Sequence, residues 1–136
     1  MFKVLFVDDE VAILEITKLL LSSLGFETFV ANSGKMAIEI LDDKAKQQQI
    51  QIIFLDLTMP EMSGLEVLEW INKNNVKIPT ILQTGIKDKK EIEKATILGI
   101  KDYMIKPYTK EQLYQFIVKY AKNKNDSWYK NSNYIY

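Results

Sequence analysis

"IIFLDLTMPEMSGLEVL", residues 52–68, decides how this chain folds. An apolar run of strand length ends on an acid, Asp56, and Pro60 and Gly64 follow within eight residues. Burying a carboxylate costs free energy unless other groups compensate for it. The strand must therefore deliver Asp56 to a place where such groups gather.

Four further apolar runs have the same character: "FKVLFV" (2–7), "FETFVA" (26–31), "IPTILQT" (78–84) and "KDYMIK" (101–106), with the central strand itself spanning 50–56. Each is rich in β-branched or aromatic residues. Helical periodicity fills the gaps. In "EVAILEITKLLLSSLG" the spacing predicts a buried face of Ile13, Ile16, Leu20 and Leu24, with Gly25 at the C-cap. In "SGKMAIEILDDKAK", Ser33 is the expected N-cap, and Met36, Ile40 and Leu41 point inward. "SGLEVLEWINKNN" places Leu65, Leu68 and Ile71 or Trp70 on one face. "DKKEIEKATILG" and "TKEQLYQFIVKYAK" follow the same pattern, the latter capped by Thr109 with Glu111 close behind. "DDKAKQQQ" (42–49) reads as a helix end running into a polar loop. Alternating strands and helices predict an α/β fold, a parallel sheet covered on both faces through right-handed crossovers.

In such a sheet, ligands bind beyond the carboxyl ends of the strands. The first strand ends at Asp8 and Asp9, the third at Asp56, the fourth at Thr84 and the fifth at Lys106. Taken singly, Asp8-Asp9 would serve equally well to open a helix, and Asp56 to make a turn. Taken together, three carboxylates, a hydroxyl and an ammonium converge. The acids repel one another and call for a cation. Hard oxygen donors suit Mg²⁺, which also bridges carboxylates to phosphoryl oxygens. Asp56 then reads as a nucleophile forming an aspartyl phosphate, Lys106 as a fixed positive charge, and Thr84 as a hydrogen-bond donor to the phosphoryl group.

Composition narrows the alternatives. The 136 residues suffice for one domain with a core. Charges balance at 18 Lys and Arg against 18 Asp and Glu, and every cation is a lysine, which argues against a nucleic-acid or membrane partner. With neither cysteine nor histidine, thiol chemistry, imidazole catalysis and zinc–thiolate sites drop out. The N-terminal apolar stretch is too short for a signal peptide or a membrane span, so a cytoplasmic location is expected. The last fifteen residues, "KNKNDSWYKNSNYIY" (122–136), change composition. They read either as a frayed or disordered tail, or as a docking peptide anchored by Trp128, Tyr129 and Tyr134.

The motifs "VDDE", "FLDLTMPEMSGLEVL", "ILQTG" and "DYMIKPY" together resemble the response-regulator receiver domain of two-component signalling, over residues 1–121. The resemblance implies a flavodoxin-like, doubly wound (βα)5 fold of strand order 2-1-3-4-5. It implies Asp56 as phospho-acceptor, and Asp9 as Mg²⁺ ligand with Asp8 assisting directly or through water. Asp56 itself and the backbone carbonyl of Thr58 complete the metal set. Thr84 and Lys106 bind the phosphoryl group, the bond before Pro107 is cis, and Tyr103 is the aromatic that turns inward on activation. The face made by the fourth helix, fifth strand and fifth helix then changes affinity for a downstream protein. Thr58 and Ile86 occupy positions that tune hydrolysis. Apolar Ile86 cannot orient water, which predicts a long-lived phosphoform.

Without histidine, the phosphoryl group must come from another molecule, a sensor histidine kinase or a histidine phosphotransfer protein. The chain reads as a stand-alone receiver of the chemotaxis-regulator type, signalling by protein contact rather than as an enzyme. Alternatives are a degenerate receiver that binds without phosphate, and a Mg²⁺-dependent phosphatase of the haloacid dehalogenase kind, although the second acid of its D-x-D motif is missing. A flavodoxin-like FMN binder shares the fold, but its phosphate loop would stand where this chain has "DDE".

Overall fold

The computed structural model describes residues 2–85 and 89–121. In chain order the elements are β1 (Lys3–Val7), α1 (Val11–Ser23), β2 (Glu27–Ala31), α2 (Gly34–Asp42), α3 (Lys44–Gln49), β3 (Ile52–Asp56), α4 (Gly64–Lys73), β4 (Thr80–Thr84), α5 (Lys89–Ile97), β5 (Asp102–Ile105) and α6 (Lys110–Ala121). The five strands form one parallel sheet in the order β2-β1-β3-β4-β5, with helices on both sides. The described residues group into two compact units, one closing at Lys106 and the other opening at Pro107.

The first unit holds the whole sheet. β3 and β4 are buried along their full length, as expected of strands covered on both faces. Alternation sorts their side chains. Leu5, Val7, Ile53, Leu55 and Leu82 join Ala37, Ile40, Leu41, Val67, Leu68 and Ala95 in one core cluster. Phe6 and Phe54 occupy the opposite face, their ring centroids 5.7 Å apart. Each fully buried side chain of this size contributes about 1.5–3 kcal/mol. In the second unit, Thr109 and Gln112 cap α6 reciprocally. The Thr109 hydroxyl accepts from the Gln112 N–H at 3.1 Å, and the Gln112 side-chain oxygen accepts from the Thr109 N–H at 2.8 Å.

Three expectations are corrected. The buried face of α1 is Leu14, Thr17 and Leu21, whereas Ile16 is 64% exposed. Apolar residues surround nearly the whole circumference of this helix, so sequence periodicity alone does not fix its phase. Met36 also lies on the exposed side of α2, and Ala37 takes the inward position beside Ile40 and Leu41. Finally, residues 44–49 form a short helix rather than a loop, because the Asp43 carboxylate accepts from the N–H groups of Ala45 and Lys46. The predicted fourth and fifth helices are therefore α5 and α6. Ser33 caps α2 as expected, accepting from the Met36 N–H at 3.1 Å. Gly25, at φ +91°, ends α1 in the left-handed region.

Candidate functional site

The carboxyl ends of the strands bring the acids together. Asp8 follows β1 immediately and is completely buried. Its N–H donates to the Ala31 carbonyl at 3.1 Å, which fixes the backbone against β2. One carboxylate oxygen accepts from the Glu10 N–H at 2.9 Å, and the other lies 3.1 Å from the Lys106 ammonium. Asp8 thus leads the chain toward α1 and also lines the site. Asp56, the last residue of β3, is 5% exposed. One of its oxygens accepts from the Thr58 N–H at 3.3 Å, and the other lies 3.2 Å from the Lys106 ammonium. Asp9 is more accessible, and one carboxylate oxygen from each of Asp8, Asp9 and Asp56 lies within 4.8 Å of the others.

The loop after Asp56 is shaped by close contact. The Gly64 N–H donates to the Leu57 carbonyl at 2.8 Å. A Cβ on Gly64 would stand 2.3 Å from the Asp56 carbonyl oxygen, so no side chain fits there. Glu61 has φ +67°, and the Met62 N–H donates to the Pro60 carbonyl across it at 2.7 Å. That is a tight turn at a positive φ that glycine would take more readily.

Asp8 and Asp56 face one ammonium, with Asp9 beside them, and the electrostatics follow. Burial pushes the Asp56 carboxyl up to about 6, assisted by the negative charge of Asp8 and opposed by Lys106 and the Thr58 N–H. Burial works to lower the Lys106 ammonium, but the facing Asp56 and Asp8 outweigh it and hold it above its ordinary value. The site therefore has an excess of negative charge that a second cation would relieve. All three candidate side-chain ligands are carboxylates, the donors Mg²⁺ prefers, and one oxygen of each lies within 4.8 Å of the others, close enough to share one ion. The residues present fit the metal.

Of the sequence-predicted residues, the structure gathers Asp8, Asp9, Asp56 and Lys106. Thr84 is buried at the end of β4, where its hydroxyl donates to the Gly85 carbonyl at 3.1 Å. Its own carbonyl accepts from the Lys106 N–H at 2.9 Å. Thr58 touches Asp56 through its N–H, and its side chain is exposed. Tyr103, on β5, is 43% exposed. Pro107 begins the second unit. Ile86 and the tail 122–136 lie outside the described residues.

One residue escaped sequence reasoning. Gln83, in β4, is completely buried, and its side-chain amide donates to the Val7 carbonyl at 3.2 Å. A polar residue inside the apolar run "IPTILQT" was the available signal.

Residues 4–118 match the family model described as "Response regulator receiver domain". The cell cycle response regulator CtrA of Brucella ovis is 32% identical over 111 residues, 82% of this chain and 46% of that protein. The chain thus spans about half the length of the curated relatives it matches. A response regulator receiver domain protein from Clostridium thermocellum superposes with a TM-score of 0.83 at 30% identity, over 91% of this chain and 97% of that one. The Vibrio cholerae chemotaxis protein CheY4 superposes with a TM-score of 0.77 at 25% identity, over 88% and 98%. No helix among the described residues is long and apolar enough to cross a membrane.

Proposed function

The chain belongs to the response-regulator receiver family of two-component signalling, and from that premise we propose that it is a phospho-acceptor switch with Asp56 as the acceptor. The observation that carries the reading is the Lys106 ammonium, held 3.1 Å from Asp8 and 3.2 Å from Asp56 among three converging carboxylates. One Asp56 oxygen attacks the phosphorus of a phosphohistidine on a sensor kinase or phosphotransfer protein. The P–N bond breaks, and the leaving imidazole takes the electron pair and a proton. Lys106 neutralises charge on the transferred oxygens. Asp8, Asp9, Asp56 and the Thr58 carbonyl would hold Mg²⁺, which supplies further neutralisation of the phosphoryl oxygens.

After transfer, the Thr84 hydroxyl leaves the Gly85 carbonyl for a phosphoryl oxygen. The Tyr103 ring, now substantially exposed, moves inward behind it. A two-state element is thereby biased by one covalent group. Output is a protein contact on the surface that includes α5 and β5, in the cytoplasm, with residues 1–121 acting as the receiver and 122–136 as a tail. The phosphoform is long-lived because Ile86 does not orient water.

The test is intact mass after incubation with acetyl phosphate and Mg²⁺, beside Asp56→Ala. One added phosphoryl group on the wild type alone supports the reading. An equal adduct on both proteins would sink it.

A further inference from the structure

Gln83 has an unusual place for an uncharged residue. It pairs in register with Asp56, so the two side chains leave the sheet on the same face. That face is otherwise apolar at Phe54 and Ile81, both completely buried. Burying an amide there has a desolvation cost that leucine would not have. The amide reaches across β3, from β4 to β1, to donate to the Val7 carbonyl at 3.2 Å. The peptide group between Val7 and Asp8 is consequently held from two strands. Its N–H goes to Ala31 of β2, and its carbonyl receives Gln83 of β4.

The main chain of the same residue holds the other acid. The Gln83 carbonyl accepts from the Leu57 N–H at 3.0 Å, the peptide directly after Asp56. One residue further on, the Thr84 carbonyl accepts from the Lys106 N–H at 2.9 Å. A single dipeptide thus ties the backbones that carry Asp8, Asp56 and Lys106. We propose that Gln83 is a positioning residue for the metal-binding acids: its side-chain amide fixes the Val7–Asp8 peptide and so sets the distance between the Asp8 and Asp56 carboxylates.

This inference rests on the reading of the acids as a divalent-cation site. Groups that orient metal ligands without touching the metal typically change affinity about 10- to 100-fold when lost. The amide acts on ligand spacing, so its removal weakens metal binding while leaving phosphoryl transfer at saturating metal nearly intact. A merely structural role would lower thermal stability and leave metal affinity, measured well below the melting temperature, unchanged.

The experiment titrates the full chain with Mn²⁺, following the free ion by electron paramagnetic resonance, for wild type, Gln83→Leu and Gln83→Met. Both variants keep the approximate volume and remove the donor. The expected result is a Kd raised about 10-fold in each, with labelling by acetyl phosphate at saturating Mg²⁺ close to wild type. A Kd equal to that of wild type overturns the proposal for Gln83 alone. Absence of Mn²⁺ binding in the wild type overturns the cation-site reading and this inference with it. Should both variants fail to fold, Mg²⁺ titration of the wild type decides by NMR. The Gln83 side-chain amide resonance must move along with the Asp8 backbone amide, and a Gln83 resonance indifferent to metal overturns the proposal.

Discussion

The Lys106 ammonium lies 3.2 Å from the Asp56 carboxylate, yet Asp56 holds its proton up to about pH 6. An ion pair ordinarily lowers an acid. Here burial and the adjacent Asp8 outweigh the lysine, which Asp8 shares at 3.1 Å. With two carboxylates against one ammonium, the pair of acids carries more charge than Lys106 alone offsets.

That imbalance has a stability signature. Asp56 is raised from 3.8 to about 6, so between those values the folded chain keeps a proton that the unfolded chain releases. Stability therefore falls as pH rises through this window and levels off above it. Asp56→Asn removes the ionisation, and the variant should be more stable than wild type in EDTA near neutral pH, by about 2 kcal/mol. The difference should vanish below about pH 4. Thermal melts across pH check this, and a wild type that equals or exceeds the variant at neutral pH would contradict it. Added Mg²⁺ should raise the melting temperature of wild type far more than that of the variant.

In the proposed site, a metal ion would compete with Lys106 for Asp8 and Asp56, the two acids its ammonium contacts. Replacing the ammonium by an isosteric apolar chain, Lys106→Met, should strengthen Mg²⁺ binding and slow phosphoryl transfer at the same time. Loss of a donor poised at developing charge typically costs about 10²- to 10³-fold in rate. Calorimetric Mg²⁺ titration and time-resolved intact mass report the two effects separately. Parallel weakening of both would show that Lys106 organises the site instead of competing within it.

Two backbone positions in the loop after Asp56 should respond in opposite senses. Gly64→Ala forces a Cβ to 2.3 Å from the Asp56 carbonyl oxygen, and backbone does not yield as a side-chain tip does. A loss of about 2 kcal/mol or more is expected. Glu61→Gly relieves the positive φ of +67° and should stabilise by about 0.5–1 kcal/mol. Urea denaturation of the two variants settles both signs. Destabilisation by Glu61→Gly would mean that its side chain makes up for the backbone strain.

Much of the fold was legible because β3 and β4 are buried along their full length and read as nearly continuous apolar runs, while the partly exposed edge strands β2 and β5 were visible through their β-branched and aromatic residues. The acids and the lysine were legible for a related reason: a charge that ends an apolar run has few structural excuses. The phase of α1 was not legible, since apolar residues flank its polar stripe of Glu15, Lys18 and Ser22 on both sides, and the buried Leu14, Thr17 and Leu21 lie beside that stripe rather than opposite it. Nor was the reach of Gln83 to Val7, a contact between residues 76 positions apart that no local pattern records. Glu61 gave no hint of its conformation because its residue type argues against it.

The phase of α1 can be measured. Leu14 is 5% exposed and Ile16 is 64% exposed. Leu14→Ala should cost about 2–4 kcal/mol by leaving a cavity, whereas Ile16→Lys should stay within about 0.5 kcal/mol of wild type. Equal losses in both variants would require a different orientation of the helix.

The last prediction separates phosphorylation from switching. The Thr84 hydroxyl now donates to the Gly85 carbonyl, at 3.1 Å, and the Tyr103 ring lies 43% exposed on β5. In the proposed chemistry neither group is needed to break the P–N bond, because Asp56 would attack and Lys106 would neutralise. Thr84→Ala should therefore still accept a phosphoryl group, only about tenfold more slowly for want of one neutral hydrogen bond. What it should lose is the coupling, since nothing then pulls on β4 to make room for the ring. With fluorotyrosine at position 103, the ¹⁹F resonance should move on phosphorylation of the wild type and stay fixed in phosphorylated Thr84→Ala. A resonance that moves equally in both would disconnect Tyr103 from Thr84 and place the switch elsewhere on the sheet edge.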